Sequence, residues 1–78
     1  MNMDKELCKT IRELYGMTSA EFSQYIGVGL SSLQQWESGY SNSMLIPTKL
    51  KETVPQSIIT EAERILRLKN EIKAEAAL

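Results

Sequence analysis

The stretch Met17-Thr18-Ser19-Ala20-Glu21-Phe22-Ser23-Gln24-Tyr25-Ile26-Gly27-Val28-Gly29-Leu30-Ser31-Ser32-Leu33-Gln34-Gln35-Trp36-Glu37-Ser38-Gly39 decides how this chain folds. Thr18 followed three residues later by Glu21 is the pattern of a capping box, in which hydroxyl and carboxylate each satisfy an orphan backbone amide. It predicts a helix over 18–26, with Phe22 and Ile26 on its apolar face together with Ala20 or Ser23. Gly27 stops that helix, because glycine enters the left-handed backbone region at little cost. A second helix over 30–38 follows after only about three residues, carries Leu33 and Trp36 on one side and ends at Gly39.

Upstream, Leu7, Cys8, Ile11, Leu14 and Tyr15 recur at steps of three and four, which predicts an amphipathic helix over 4–15 closed by Gly16. Downstream, Tyr40 to Ser43 reads as a loop, and Met44 to Val54 as an irregular stretch with one short helix near Pro47 to Thr53. Pro55 opens a last helix over 56–76, with Glu61 and Glu63 near its start. The expected architecture is therefore all-α, a compact bundle of about five helices with a longer C-terminal one, and the 78 residues form a single domain.

Hydrophobic residues at 42% and charged residues at 24% place the chain in the ordinary globular range. No long apolar run marks a membrane span, and the start lacks the pattern of a signal peptide, so a cytoplasmic location is expected. With no histidine and one cysteine, the chain has no metal-ligand cluster, no internal disulfide and no His-dependent catalytic group. Cys8 reads as a small core residue. The acids Glu13, Glu21, Glu37 and Glu61 have capping, pairing or solvated roles, and no glycine-rich phosphate loop is present, so neither an enzyme nor a cofactor is expected.

The segment 17–39 resembles, without gaps, the lambda-repressor/Cro-like (Xre) helix-turn-helix family. In that family a small polar cap opens the first helix of the pair, an apolar and a small residue stand where Phe22 and Ser23 do, and Gly-Val makes the turn. The second helix closes with Trp-Glu-x-Gly, as Trp36-Glu37-Ser38-Gly39 does here. The resemblance implies a lambda-repressor-like fold and binding to double-stranded DNA, the second helix entering the major groove while the first braces it. It also implies an ion pair between Arg12 and Glu37, tying the first helix to the third. Where family members often have proline four residues past the closing glycine, this chain has Ser43.

With Leu33 and Trp36 turned inward, the outward arc of the second helix is Leu30, Ser31, Gln34, Gln35 and Ser38. Leu30, Ser31 and Gln35 match base-contacting positions of the family, with Ser32 and Gln34 beside them. Gln35 has the donor and acceptor needed for adenine N6 and N7, the serines donate or accept, and Leu30 packs on a thymine methyl. Phosphate contacts are expected where backbone amides are free, from Thr18, Ser19, Ser38, Tyr40, Ser41, Asn42, Ser43 and Lys49.

Nine Lys/Arg against ten Asp/Glu give a net charge of −1, where a DNA-binding domain usually carries a basic excess. No Lys or Arg stands between Tyr15 and Thr48, which leaves Lys49 and Lys51, with Lys5 or Lys9 behind them, as sources of basic help. Binding mainly by neutral donors implies a shallow salt dependence.

Useful specificity for such a domain comes from a two-fold homodimer. Ile58, Ala62, Ile65, Ile72 and Ala76 step along the last helix by four and three like a coiled-coil seam, interrupted by Lys69. Equally, Ile58, Ile59, Ala62, Ile65 and Leu66 complete the core of a five-helix domain. Both hold if the first half packs on the domain and the second, Leu68 to Leu78, meets a partner, with Ile65, Leu68, Ile72 and Ala76 as dimer contacts. Two functions compete. One is a transcriptional regulator, a repressor of phage, mobile-element or toxin–antitoxin type. The other is a protein-interaction module, an antirepressor or adaptor that binds another regulator through the same face.

Overall fold

The computed structural model describes residues 4–76, and its described residues form five helices and no strand. They are α1 (Lys5–Tyr15), α2 (Ser19–Ile26), α3 (Leu30–Glu37), α4 (Leu45–Thr53) and α5 (Gln56–Ala76). Ala77 and Leu78, the end of the segment expected to meet a partner, lie outside the described residues.

Local chemistry sets the helix ends. Asp4 caps α1 by accepting a hydrogen bond from the Leu7 amide at 2.7 Å. At α2 the Thr18 amide donates to Glu21 Oε1 at 2.9 Å, and the Glu21 amide donates to Thr18 Oγ1 at 3.2 Å, completing the capping box. Gly16 and Gly27 end α1 and α2 with φ of 66° and 78°, a region that side chains with a Cβ rarely enter. The sequence places the fourth helix near Pro47, but α4 begins two residues earlier, at Leu45. Ser43 Oγ accepts from the Leu45 amide at 3.1 Å, and Pro47 falls in the first turn, where its missing amide costs no hydrogen bond.

One core joins all five helices. It contains Leu7, Cys8 and Ile11 of α1, Phe22 and Ile26 of α2, Leu33 and Trp36 of α3, Ile46 and Leu50 of α4 with Val54 after it, and Ile59 and Ala62 of α5. On α2 the buried small residue is Ser23, while Ala20 is exposed. Ser23 Oγ donates to the Ala20 carbonyl at 2.8 Å, which satisfies the buried hydroxyl within its own helix. Tyr15 and Tyr25 add a clasp between α1 and α2, with their hydroxyls 3.1 Å apart and ring centroids 5.1 Å apart.

Helix α5 packs chiefly on α1. Ile59 and Ala62 are buried, Ile58, Ile65 and Leu66 are half-buried, and every described residue from Arg67 onward is exposed. Beyond the core one polar tie continues the contact, with Lys69 Nζ 3.2 Å from Glu13 Oε2.

Candidate nucleic-acid interface

Leu33 and Trp36, at 0% and 4% exposure, fix the rotation of α3 about its axis. At 3.6 residues per turn, Leu30, Ser31, Gln34, Gln35 and Ser38 then span a single arc on the opposite side. All five are exposed. Ser32 is exposed as well but lies at the edge of this arc, about 60° round the helix from Gln35. Leu30, at the start of the helix, is 39% exposed.

The turn positions this arc. After Gly27, the Val28 amide returns to the Ser23 carbonyl at 2.9 Å, and only Gly27, Val28 and Gly29 separate α2 from α3. The N-cap of α3 is Gly29, which offers no side chain to the first amides of the helix. Those donors are left for an outside acceptor.

Around α3, the residues expected to meet phosphate differ in what they have free. Thr18 is exposed, and its hydroxyl is engaged with Glu21 in the capping box, its oxygen accepting from the Glu21 amide. Ser19 is half-buried. Ser38 Oγ donates to the Gln35 carbonyl at 3.2 Å, and Ser41 Oγ accepts from the Ser43 amide at 3.3 Å, so both help hold the loop. Tyr40 is 89% exposed, and Asn42 and Ser43 are exposed beside it. Lys49 stands 3.8 Å from Glu52 on its own helix, a surface pair that partly occupies its charge.

Behind the arc, Arg12 Nε lies 3.5 Å from Glu37 Oε1, linking α1 to the last residue of α3. The same carboxylate oxygen accepts from Cys8 Sγ at 3.6 Å, a contact the sequence does not announce. Burial, with the Glu37 carboxylate alongside, pushes the Cys8 thiol up to about 12 from its ordinary 9.0. The thiol is therefore a protonated donor at neutral pH. On α2, the Thr18 amide and hydroxyl hold the Glu21 carboxyl below its usual range, so the cap stays charged where the helix N-terminus favours an anion.

Two further features complete the surroundings. Lys5 Nζ lies over the Trp36 ring, 4.8 Å from its centroid, which brings a cation from the start of α1 to the flank of α3. Among the described residues no helix is long and apolar enough to cross a membrane, and no cluster of three or more His, Cys, Asp or Glu is placed to hold a metal ion.

Residues 9–45 match the family model described as Helix-turn-helix, a stretch that runs from Lys9 in α1 to Leu45, the first residue of α4. Neither the curated proteins nor the solved structures contain a match to this chain. The matched family is one of DNA-binding regulatory domains rather than of enzymes. With two short helices joined at Gly27, an outward polar arc on α3 and the Arg12–Glu37 tie behind it, the chain carries a DNA-binding helix-turn-helix domain of the lambda-repressor/Cro-like (Xre) type.

Proposed function

We propose that the protein is a sequence-specific transcriptional regulator, a repressor of phage, mobile-element or toxin–antitoxin type, which binds double-stranded DNA as a two-fold homodimer. The observation that carries this reading is the exposed arc of α3, with its hydrogen-bonding side chains and the solvent-facing Leu30 at its head. Leu30, Ser31 and Gln35 read base edges, Gln34 and Ser32 assist, and the donors of Thr18, Ser19, Ser38 and residues 40–43 position the backbone.

For the dimer, support comes from α5, where Leu68 and Ile72 are 50% and 57% exposed, Ala76 is exposed on the same side and Ile65 is half-buried at the domain edge. Lys69, which interrupts this stripe, has its ammonium turned to Glu13. The stripe is thereby left more apolar than the sequence alone implies.

The absence of any Lys or Arg from residue 13 to residue 48 favours the second reading, an antirepressor or adaptor that presents the same face to another regulator. A gel shift on the duplex upstream of the protein's own gene separates the two. The regulator reading expects a retarded complex that Gln35→Ala weakens by about five- to 150-fold per half-site, the loss of a bidentate base contact being about 1–3 kcal/mol. No complex at low salt, or one indifferent to Gln35→Ala, contradicts it.

A further inference from the structure

The exposed stripe of α5 lies about 120° round the helix from Ile59, Ala62 and Leu66, which pack toward the core. Followed back toward the domain, it has Ile58, Ile65 and Ile72 at one set of heptad positions and Glu61, Leu68 and Glu75 at the alternate set. Arg64 and Glu71 flank it on the side away from the core, and Ala62, Lys69 and Ala76 on the side toward it. Arg64 donates through Nε and Nη2 to Glu61, which leaves its Nη1 donors for a further acceptor. Glu71 is in no ion pair among the described residues.

These charges decide how a second copy fits the stripe. In a parallel pair each seam residue meets its own counterpart, so Glu61 faces Glu61, Glu75 faces Glu75, and Arg64 falls beside Lys69 of the other chain. All of these are like-charge contacts. In an antiparallel pair crossing between Leu66 and Arg67, Ile65 packs on Leu68 of the other chain and Arg64 falls beside Glu71, each contact occurring twice by symmetry. Sliding that pair by one heptad in either direction sets Arg64 against Arg64 or Glu71 against Glu71. Of these arrangements, only the antiparallel pair crossing between Leu66 and Arg67 brings opposite charges together.

We infer that the α5 helices of two copies pair antiparallel, crossing between Leu66 and Arg67, with Arg64 of each chain meeting Glu71 of the other. The inference rests on the dimer reading and states the direction and register of that dimer. The exposed end of each α5 then lies along the domain-proximal half of the other. Leu68, half exposed in the single chain, is covered there, and Ile65, half-buried at the domain edge, gains the rest of its cover from Leu68 of the other chain. Ile72 meets the aliphatic stem of the other chain's Glu61, whose carboxylate is turned aside to Arg64. The hydrophobic contact supplies the affinity, and the paired charges select direction and register.

The test is sedimentation equilibrium at low ionic strength on the full chain, on Arg64→Glu, on Glu71→Arg and on the double variant that exchanges the two charges. Each single variant turns two attractive contacts per dimer into repulsive ones and should weaken the dimer by roughly tenfold, while the double variant recovers most of that loss. Both positions are exposed, and circular dichroism of each variant confirms that the helices are retained. Because Glu71 has no ion-pair partner among the described residues of its own chain, the loss with Glu71→Arg reads the contact between chains. Parallel pairing predicts the opposite for Arg64→Glu, which would then face Lys69 and tighten the dimer. A wild-type dimer that Arg64→Glu tightens, that the single variants leave unchanged, or that the double variant fails to restore overturns the antiparallel pairing alone. A wild-type chain that stays monomeric at every concentration overturns both this inference and the dimer reading.

Discussion

Glu37 is the last residue of α3, its side chain is 9% exposed, and its Oε1 faces both Arg12 and Cys8. A carboxylate so placed costs desolvation that only its partners offset, and the reverse holds for Arg12, whose Nε is buried with no well-aligned acceptor. Removing one partner strands the other. Glu37→Ala is expected to destabilise the fold by about 1–3 kcal/mol, with Arg12→Ala in the same range and the double variant well short of the sum. A double-mutant cycle from urea unfolding measures this coupling, and strict additivity would show that the pair does not act as a unit. Cys8 makes a separate prediction. Its thiol is raised from 9.0 to about 12 in the folded chain, so the unfolded chain ionises first as pH rises. The stability held in the protonated thiol is complete below about pH 9 and is lost as pH climbs toward 12. Wild-type unfolding midpoints should accordingly fall more steeply above pH 9 than those of Cys8→Ala; parallel profiles would remove the thiol from the account.

At the scale of the element, α2 depends on its cap. With only eight residues and one end held by the Thr18–Glu21 reciprocal bonds, it has little intrinsic helix stability to spare. Thr18→Ala should cost about 1 kcal/mol in a denaturant titration, with Thr18→Ser recovering most of it; an unchanged midpoint for Thr18→Ala would mean that the α2–α3 packing alone fixes the helix. This box was legible because both its members lie in one local run, and the stops at Gly16 and Gly27 were legible for the same reason. So was the inward setting of Leu33 and Trp36, from which the exposed arc of α3 follows. The start of α4 was not, because Pro47 reads as a helix opener while the Ser43 hydroxyl that caps the Leu45 amide leaves only a weak local signal. Apart from the Arg12–Glu37 pair, which the family resemblance implied, contacts between residues far apart in the chain were beyond reach. Lys5 on Trp36, Cys8 on Glu37 and Lys69 on Glu13 all depend on how the helices pack, which spacing along one helix does not encode.

The whole molecule is a small core with a rod leaving it. Its longest dimension is 40 Å against 28 and 23 Å for the others, and the exposed run from Arg67 to Ala76 adds about 15 Å of helix at 1.5 Å per residue. Truncation after Arg67 removes one exposed ion pair and, among the described residues, no buried one, so the shortened chain should fold. If the α5 stripe joins two copies, the truncated protein sediments as a monomer while the full chain sediments as a dimer; equal masses would place the dimer contact elsewhere or remove it. Two domains so joined would present two α3 helices to one face of a duplex, with half-sites about 10–10.5 base pairs apart. Base reading by α3 is open to a direct test, the selection of bound duplexes from a random-sequence pool. Enrichment of a two-fold symmetric motif is expected for the wild-type chain and, with Gln35→Ala, loss of preference at one position in each half-site. Failure of the wild-type chain to enrich any motif, or enrichment of the same motif with undiminished preference by Gln35→Ala, would contradict it.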